Sequence, residues 1–186
     1  MPAHAEPRTD SITRELARGG LAGLLATIPM TFVLEGTRRA MPWWRRPELE
    51  PQTVTRRLLA ALGASSTTVA RHRDSATVVS HFGFGATAGA LYGVLLPRVI
   101  GGGVARAAAY GVGVFAASYL GWLPALSLFD PRPARDLPAT RAARLVAAHV
   151  VWGAALGVLA SAPRRPARPR TDRSAPERST APRAAP

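Results

Sequence analysis

The chain has 186 residues, enough for one domain, with 47% hydrophobic residues and a mean hydropathy of +0.06. Its net charge of +13 comes from 24 basic residues, all arginine; no basic surface interleaved with aromatics accompanies them, which excludes nucleic acid as the expected partner. The lack of cysteine excludes disulfides, thiolate metal sites and cysteine nucleophiles.

The averages hide a sharp segregation. Apolar residues fall in four blocks, and almost all charge lies between them. Met1 to Arg18 reads as a polar N-terminal tail. Gly19 to Leu34 then carries no charge, and Glu35 stands at its end, so the first span is expected over about residues 19–37. A cleaved signal peptide does not fit, because Glu35-Gly36-Thr37-Arg38-Arg39 occupies the place of a small-residue cleavage site. Pro29 lies inside this span and removes one backbone donor there.

The following loop holds Trp43 and Trp44, suited to a headgroup-level aromatic belt. After Pro51, Val54, Leu58 and Leu62 recur every four residues, Arg56 and Arg57 lie off that stripe, and Gly63 offers a stop. This pattern predicts a short amphipathic helix between spans 1 and 2, lying in the membrane interface or packed on the bundle. The second span is expected over 75–97, ended by Pro97, and Gly101-Gly102-Gly103 forms a tight turn after it. The third is expected over 107–129, with Trp122 as an interfacial aromatic and Pro124 disturbing its last turn. The fourth covers 145–162. From Pro163 to Pro186 the composition is Arg, Pro, Ala, Ser and Thr, which predicts a disordered tail attracted to anionic lipid.

A helix rises about 1.5 Å per residue, so about 20 residues cross a hydrocarbon core of roughly 30 Å. In lipid the backbone must satisfy its own hydrogen bonds, and segments this long do so as helices. The expected fold is therefore all-α: an integral membrane four-helix bundle over residues 19–162, with the lipid bilayer as its first partner. The arginines divide evenly between the two sides, so the positive-inside rule does not orient the chain. Both termini are placed on the cytoplasmic side because neither tail then needs translocation.

Ionisable residues within spans are functional candidates. Glu35 ends the first span, while His81 and His149 lie near the starts of the second and fourth, so connectivity puts all three near one leaflet. The histidines are about 8–10 Å inside their nearest flanking charges. The third span ends on the same side and brings Ser118, Tyr119 and Trp122. Around the histidines a pattern repeats: His81-xxx-Gly85-Ala86-xx-Gly89 matches His149-xxx-Gly153-Ala154-xx-Gly157. Positions four apart share a helix face, so each histidine stands above a small-residue stripe, extended by Gly93, that lets helices approach closely. The repeat points to two duplicated helical hairpins.

Three roles fit this cluster. The first is structural or accessory, with helices associating through the glycine stripes, including self-association or a membrane partner. The second is a proton or cation relay or transporter, using Glu35, His81 and His149. The third is a bis-histidine b-type haem protein; otherwise no cofactor or metal is expected. No phosphate-binding loop, nucleophile elbow or HExxH occurs, so no enzyme activity is expected.

The strings IPMTFVLEGTRRAMP, HFGFGATAGALYG, ASYLGWLPAL and AAHVVWGAALG resemble the YagU-like group of uncharacterised bacterial multi-pass inner-membrane proteins over roughly residues 19–160. The resemblance implies a small helical protein of the bacterial inner membrane and carries no assigned chemistry.

Overall fold

A computed structural model describes residues 8–46, 48–99, 103–128 and 139–162. Among these, all regular structure is helical. Helix α1 (Arg8–Arg39) leads through a 3-10 turn (Trp43–Arg45) to the short α2 (Glu50–Ala61) and then to α3 (Ser66–Val99). Helix α4 (Val104–Ala116) runs on into a π-helical segment (Ala117–Trp122) and a final turn, α5 (Leu123–Ala125). Helix α6 (Ala139–Ser161) follows.

Three helices are long and apolar enough to cross a membrane, over Ser11–Arg39, Ser66–Leu95 and Ala139–Ser161. They make this a helical membrane protein, and its packing agrees. Large apolar side chains such as Phe32 and Val79 face outward, 73% and 72% exposed, whereas Ala22, Ala26, Ala88, Ala107 and Ala148 are buried between helices. Lipid tails are as apolar as leucine, so contact between helices is gained by close approach of small residues rather than by escape from water.

Several boundaries differ from the sequence expectation. The stretch assigned to a tail through Arg18 is helical from Arg8 onward. Nothing in it breaks a helix, and it continues the contact with α3: a Cβ on Gly93 would lie 2.7 Å from Glu15 O. Helix α3 begins at Ser66 rather than near residue 75, because Ser65 Oγ accepts the Thr68 backbone N–H at 3.2 Å and Val69 is buried. Helix α2 covers Glu50–Ala61, which leaves Leu62 of the apolar stripe just outside it, and Gly63 follows with φ +81°, a conformation glycine adopts freely. The third expected span is helical from Val104 to Ala125 but is not one α-helix, since the π segment interrupts it. The expected tail over 163–186 and most of the 101–103 turn lie outside the described residues.

Helix α1 packs on α3 and α6, α4 packs on α6, and α2 lies on α3. The glycines set the first and third of these contacts. A Cβ on Gly89 would lie 2.6 Å from Gly23 Cα, and one on Gly85 would lie 3.2 Å from Gly23 O. In the α4–α6 pair, a Cβ on Gly153 would strike Ala107 O, and one on Gly157 would lie 3.0 Å from Val104 Cα. The two pairs share a register: Gly85 and Gly153 meet the carbonyls of Gly23 and Ala107, and one turn on, Gly89 and Gly157 approach those of Gly19 and Gly103. The sequence repeat is thus also a repeat of backbone contacts.

Candidate functional site

The glycine contacts place His81 on α3 and His149 on α6 one turn beyond equivalent crossing points. His149 is buried, with its ring edge-on to Phe115 and Tyr119 at centroid distances of 5.5 and 5.8 Å. Its Nδ1 bonds the Leu145 carbonyl at 2.8 Å. A carbonyl only accepts, so Nδ1 carries the proton, and the neutral ring keeps Nε2 as a lone-pair acceptor. His81 Nε2 is buried and has no protein hydrogen-bond partner.

Ser118 and Tyr119 come from the π-helical segment. In an α-helix a serine hydroxyl ordinarily bonds a carbonyl one turn back. Ser118 lies in the π-helical segment, and its Oγ is buried without a hydrogen-bond partner. Single π turns inside α-helices are uncommon and concentrate at functional sites.

His81, Ser118, Tyr119 and His149 line one cavity of about 220 Å³. Phe84, Trp122 and Trp152 add aromatic wall, and Met30, Leu34 and Val114 add aliphatic wall. Among the described residues no charged side chain lines it. Trp122, expected only as an interfacial aromatic, lies against Phe84 at 5.9 Å on this wall, while Trp43 and Trp44 are exposed and pack edge-on at 5.7 Å.

Helix α2 closes one side with Pro51, Val54, Thr55 and Leu58. It is fastened at two points. Thr55 Oγ1 and Ser80 Oγ are 2.7 Å apart, tying it to α3. Glu50, with no exposed surface, pairs through Oε1 with Arg144 Nη2 at 2.5 Å and Arg141 Nε at 3.1 Å, tying it to α6. The stripe Val54, Leu58, Leu62 therefore divides: the first two face the cavity, and Leu62 is 74% exposed.

Glu35 does not join the histidines. Its carboxylate is held by Arg38 at 2.8 and 2.9 Å and by Arg39 at 2.7 Å, on its own helix, and it does not line the cavity. The i, i+3 and i, i+4 spacing makes those two arginines its nearest neighbours, and this local pairing takes precedence over the expected long-range cluster. The carboxylate that does reach the site's edge is Glu50, within electrostatic reach of Tyr119 together with its two arginines. The sequence carried a signal for it in Arg141 and Arg144, which share a helix face at i, i+3, one to two turns before His149. The buried Arg144, with the half-buried Arg141 beside it at a span's start, requires an anion from elsewhere, since buried charges must be paired.

Gly85, Gly89, Gly93, Gly153 and Gly157 are all engaged with helices of the same chain. Among the described residues no three His, Asp or Glu side chains come close enough to hold a metal ion. No protein-family model matches this chain, and no curated protein and no solved structure is significantly similar to it.

Proposed function

We propose that this is a four-span membrane protein that binds a small uncharged molecule in the cavity beside His81 and His149. The observation that carries this is the cavity of about 220 Å³ itself, lined by His81 and Ser118, two polar side chains that each leave a buried atom, Nε2 and Oγ, without a hydrogen-bond partner. Burying an unbonded polar atom costs on the order of 1–3 kcal/mol, a cost that a turn of the side chain toward a bound molecule would remove. The π turn that presents Ser118 supports the same conclusion. Neutrality is supported by the lack of charged side chains among the described residues that line it.

The fourth crossing rests on the continuous helical run from Val104 to Ala125, with Val112 and Leu120 facing outward. Helix α2 then lies at the membrane surface, flanked by exposed Trp43 and Trp44. Placement in the bacterial inner membrane, with both termini cytoplasmic, follows from the YagU-like resemblance and the translocation argument.

The alternatives have less support. A relay through Glu35 lacks its carboxylate, which Arg38 and Arg39 hold. Association with a second chain through the glycine stripes lacks a free stripe, because those glycines pack within the chain. A haem would require the helices to stand apart, whereas the glycines draw them together.

The test uses fluorobenzene followed by ¹⁹F NMR with the chain in lipid nanodiscs. A protein-dependent resonance absent from empty nanodiscs, and lost when Val114→Trp fills the cavity, is the expected result. Identical spectra with and without protein reject a binding chamber.

A further inference from the structure

We propose that the connection between α1 and α3 binds anionic phospholipid headgroups, with its uncancelled guanidinium groups on the phosphates and Trp43 and Trp44 at the headgroup boundary. This surface lies outside the chamber and does not depend on it.

The charge on this connection is not balanced. Residues 35–74 carry eight arginines and four carboxylates. Glu50 is fully buried and pairs with Arg141 and Arg144 of α6, so it cancels none of the eight. Glu35 is shared by Arg38 and Arg39. Glu48 is shared too, 3.6 Å from Arg56 Nη2 and 3.9 Å from Arg73 Nη1, and so gathers the approach to α2, its middle and the second turn of α3. Asp74 reaches only Arg73, at 3.3 Å. Arg46, Arg57 and Arg71 pair with no carboxylate among the described residues. Arg46 donates to the backbone carbonyls of Met41 and Arg39, both at 3.0 Å. Those bonds hold the guanidinium in place without cancelling its charge, and its planar fork suits phosphate.

The apolar side chains exposed on the same connection say which anion fits. Trp43, Trp44 and Leu62 are 75%, 67% and 74% exposed, and the two indoles lie just past the end of the spanning segment Ser11–Arg39. A soluble anion would leave both indoles in water. A headgroup layer accommodates both kinds of group, since indoles favour that boundary and arginine is drawn to anionic lipid. Attachment of such a segment grows with its buried apolar area and with the charge of the lipid. A zwitterionic headgroup carries its own cation beside the phosphate, so the arginine excess selects an anionic one.

The experiment places the full chain in nanodiscs of equal parts phosphatidylcholine and phosphatidylglycerol, with brominated acyl chains on one lipid at a time. Bromine quenches indole emission, and the signal of Trp43 and Trp44 is the difference between the chain and Trp43→Phe/Trp44→Phe. The expected result is that phosphatidylglycerol is enriched about fivefold over phosphatidylcholine beside these indoles, the ratio one arginine near an anionic surface supports. The enrichment should be lost in Arg46→Gln/Arg57→Gln/Arg71→Gln. It should also be lost for the unaltered chain in 1 M sodium chloride, where charges are screened beyond about 3 Å. Equal quenching by the two lipids, or quenching by neither, overturns the proposal. An enrichment that survives either treatment overturns it as well, because the arginines would then not be its source.

Discussion

The indole Nε1 of Trp152 donates a hydrogen bond to the carbonyl oxygen of Gly23 at 3.1 Å, across a sequence separation of 129 residues. The same carbonyl accepts Thr27 Oγ1 at 2.9 Å, and the Cα of Gly23 touches Gly89. One glycine thus joins α1, α3 and α6. It does so because its missing side chain lets α3 approach on one side and exposes its carbonyl to α6 on the other.

Trp152→Phe keeps most of the ring packing and removes the donor. The Gly23 carbonyl retains the Thr27 bond, so the loss should be near the net worth of one hydrogen bond, about 1 kcal/mol. Reversible unfolding in mixed micelles reads this directly, and an unchanged midpoint would show that the bond contributes nothing.

Glycine positions should separate into two groups. Gly89→Ala places a methyl 2.6 Å from Gly23 Cα and should lower the unfolding midpoint while leaving the oligomeric state unchanged. Gly113 has nothing within 4 Å, so Gly113→Ala should be neutral or stabilising by roughly 0.5–1 kcal/mol, the helix-propensity difference. Light scattering beside thermal melts checks both. A change in oligomer size for Gly89→Ala would restore the stripe as an interface between chains.

Glu50→Gln leaves two arginines at the start of α6 without their anion. Breaking one side of a buried pair costs about 3–5 kcal/mol, so the variant should unfold earlier and α2 should exchange its amide hydrogens faster. Glu35→Gln should leave the melt nearly unchanged, because its partners are on the same helix and partly exposed. Equal effects from the two variants would contradict the different settings of these carboxylates.

Four crossings give a definite labelling pattern on a chain with no native cysteine. Single cysteines at Ala61 and Thr140 should react from one side of the membrane, and those at Val104 and Ala162 from the other. If Val104–Ala125 fails to cross, Ala61 will instead react from the same side as Ala162.

The helical membrane class could be read in the sequence because it depends on solvation alone. Long uncharged runs exclude themselves from water, and their backbone must close its own hydrogen bonds. The gathering of His81, Ser118, Tyr119 and His149 on one wall agrees with the order and direction of the helices. The helix ends at Arg8 and Ser66 were not legible, because polar residues extend a helix whenever a neighbour packs on it, and that neighbour is remote in sequence.

What the sequence determined by itself is therefore the solvent of each segment, the small-residue faces and the repeated histidine register. Tertiary structure alone decided which carboxylate stands near the site. Glu35 pairs with arginines on its own helix, whereas Glu50 is carried in from α2 to meet Arg141 and Arg144. The π turn that carries Ser118 was likewise beyond sequence reading. Pairing of buried charges and the register of a helix turn depend on which side chains meet across tens of residues, and no local pattern of hydrophobicity encodes that choice.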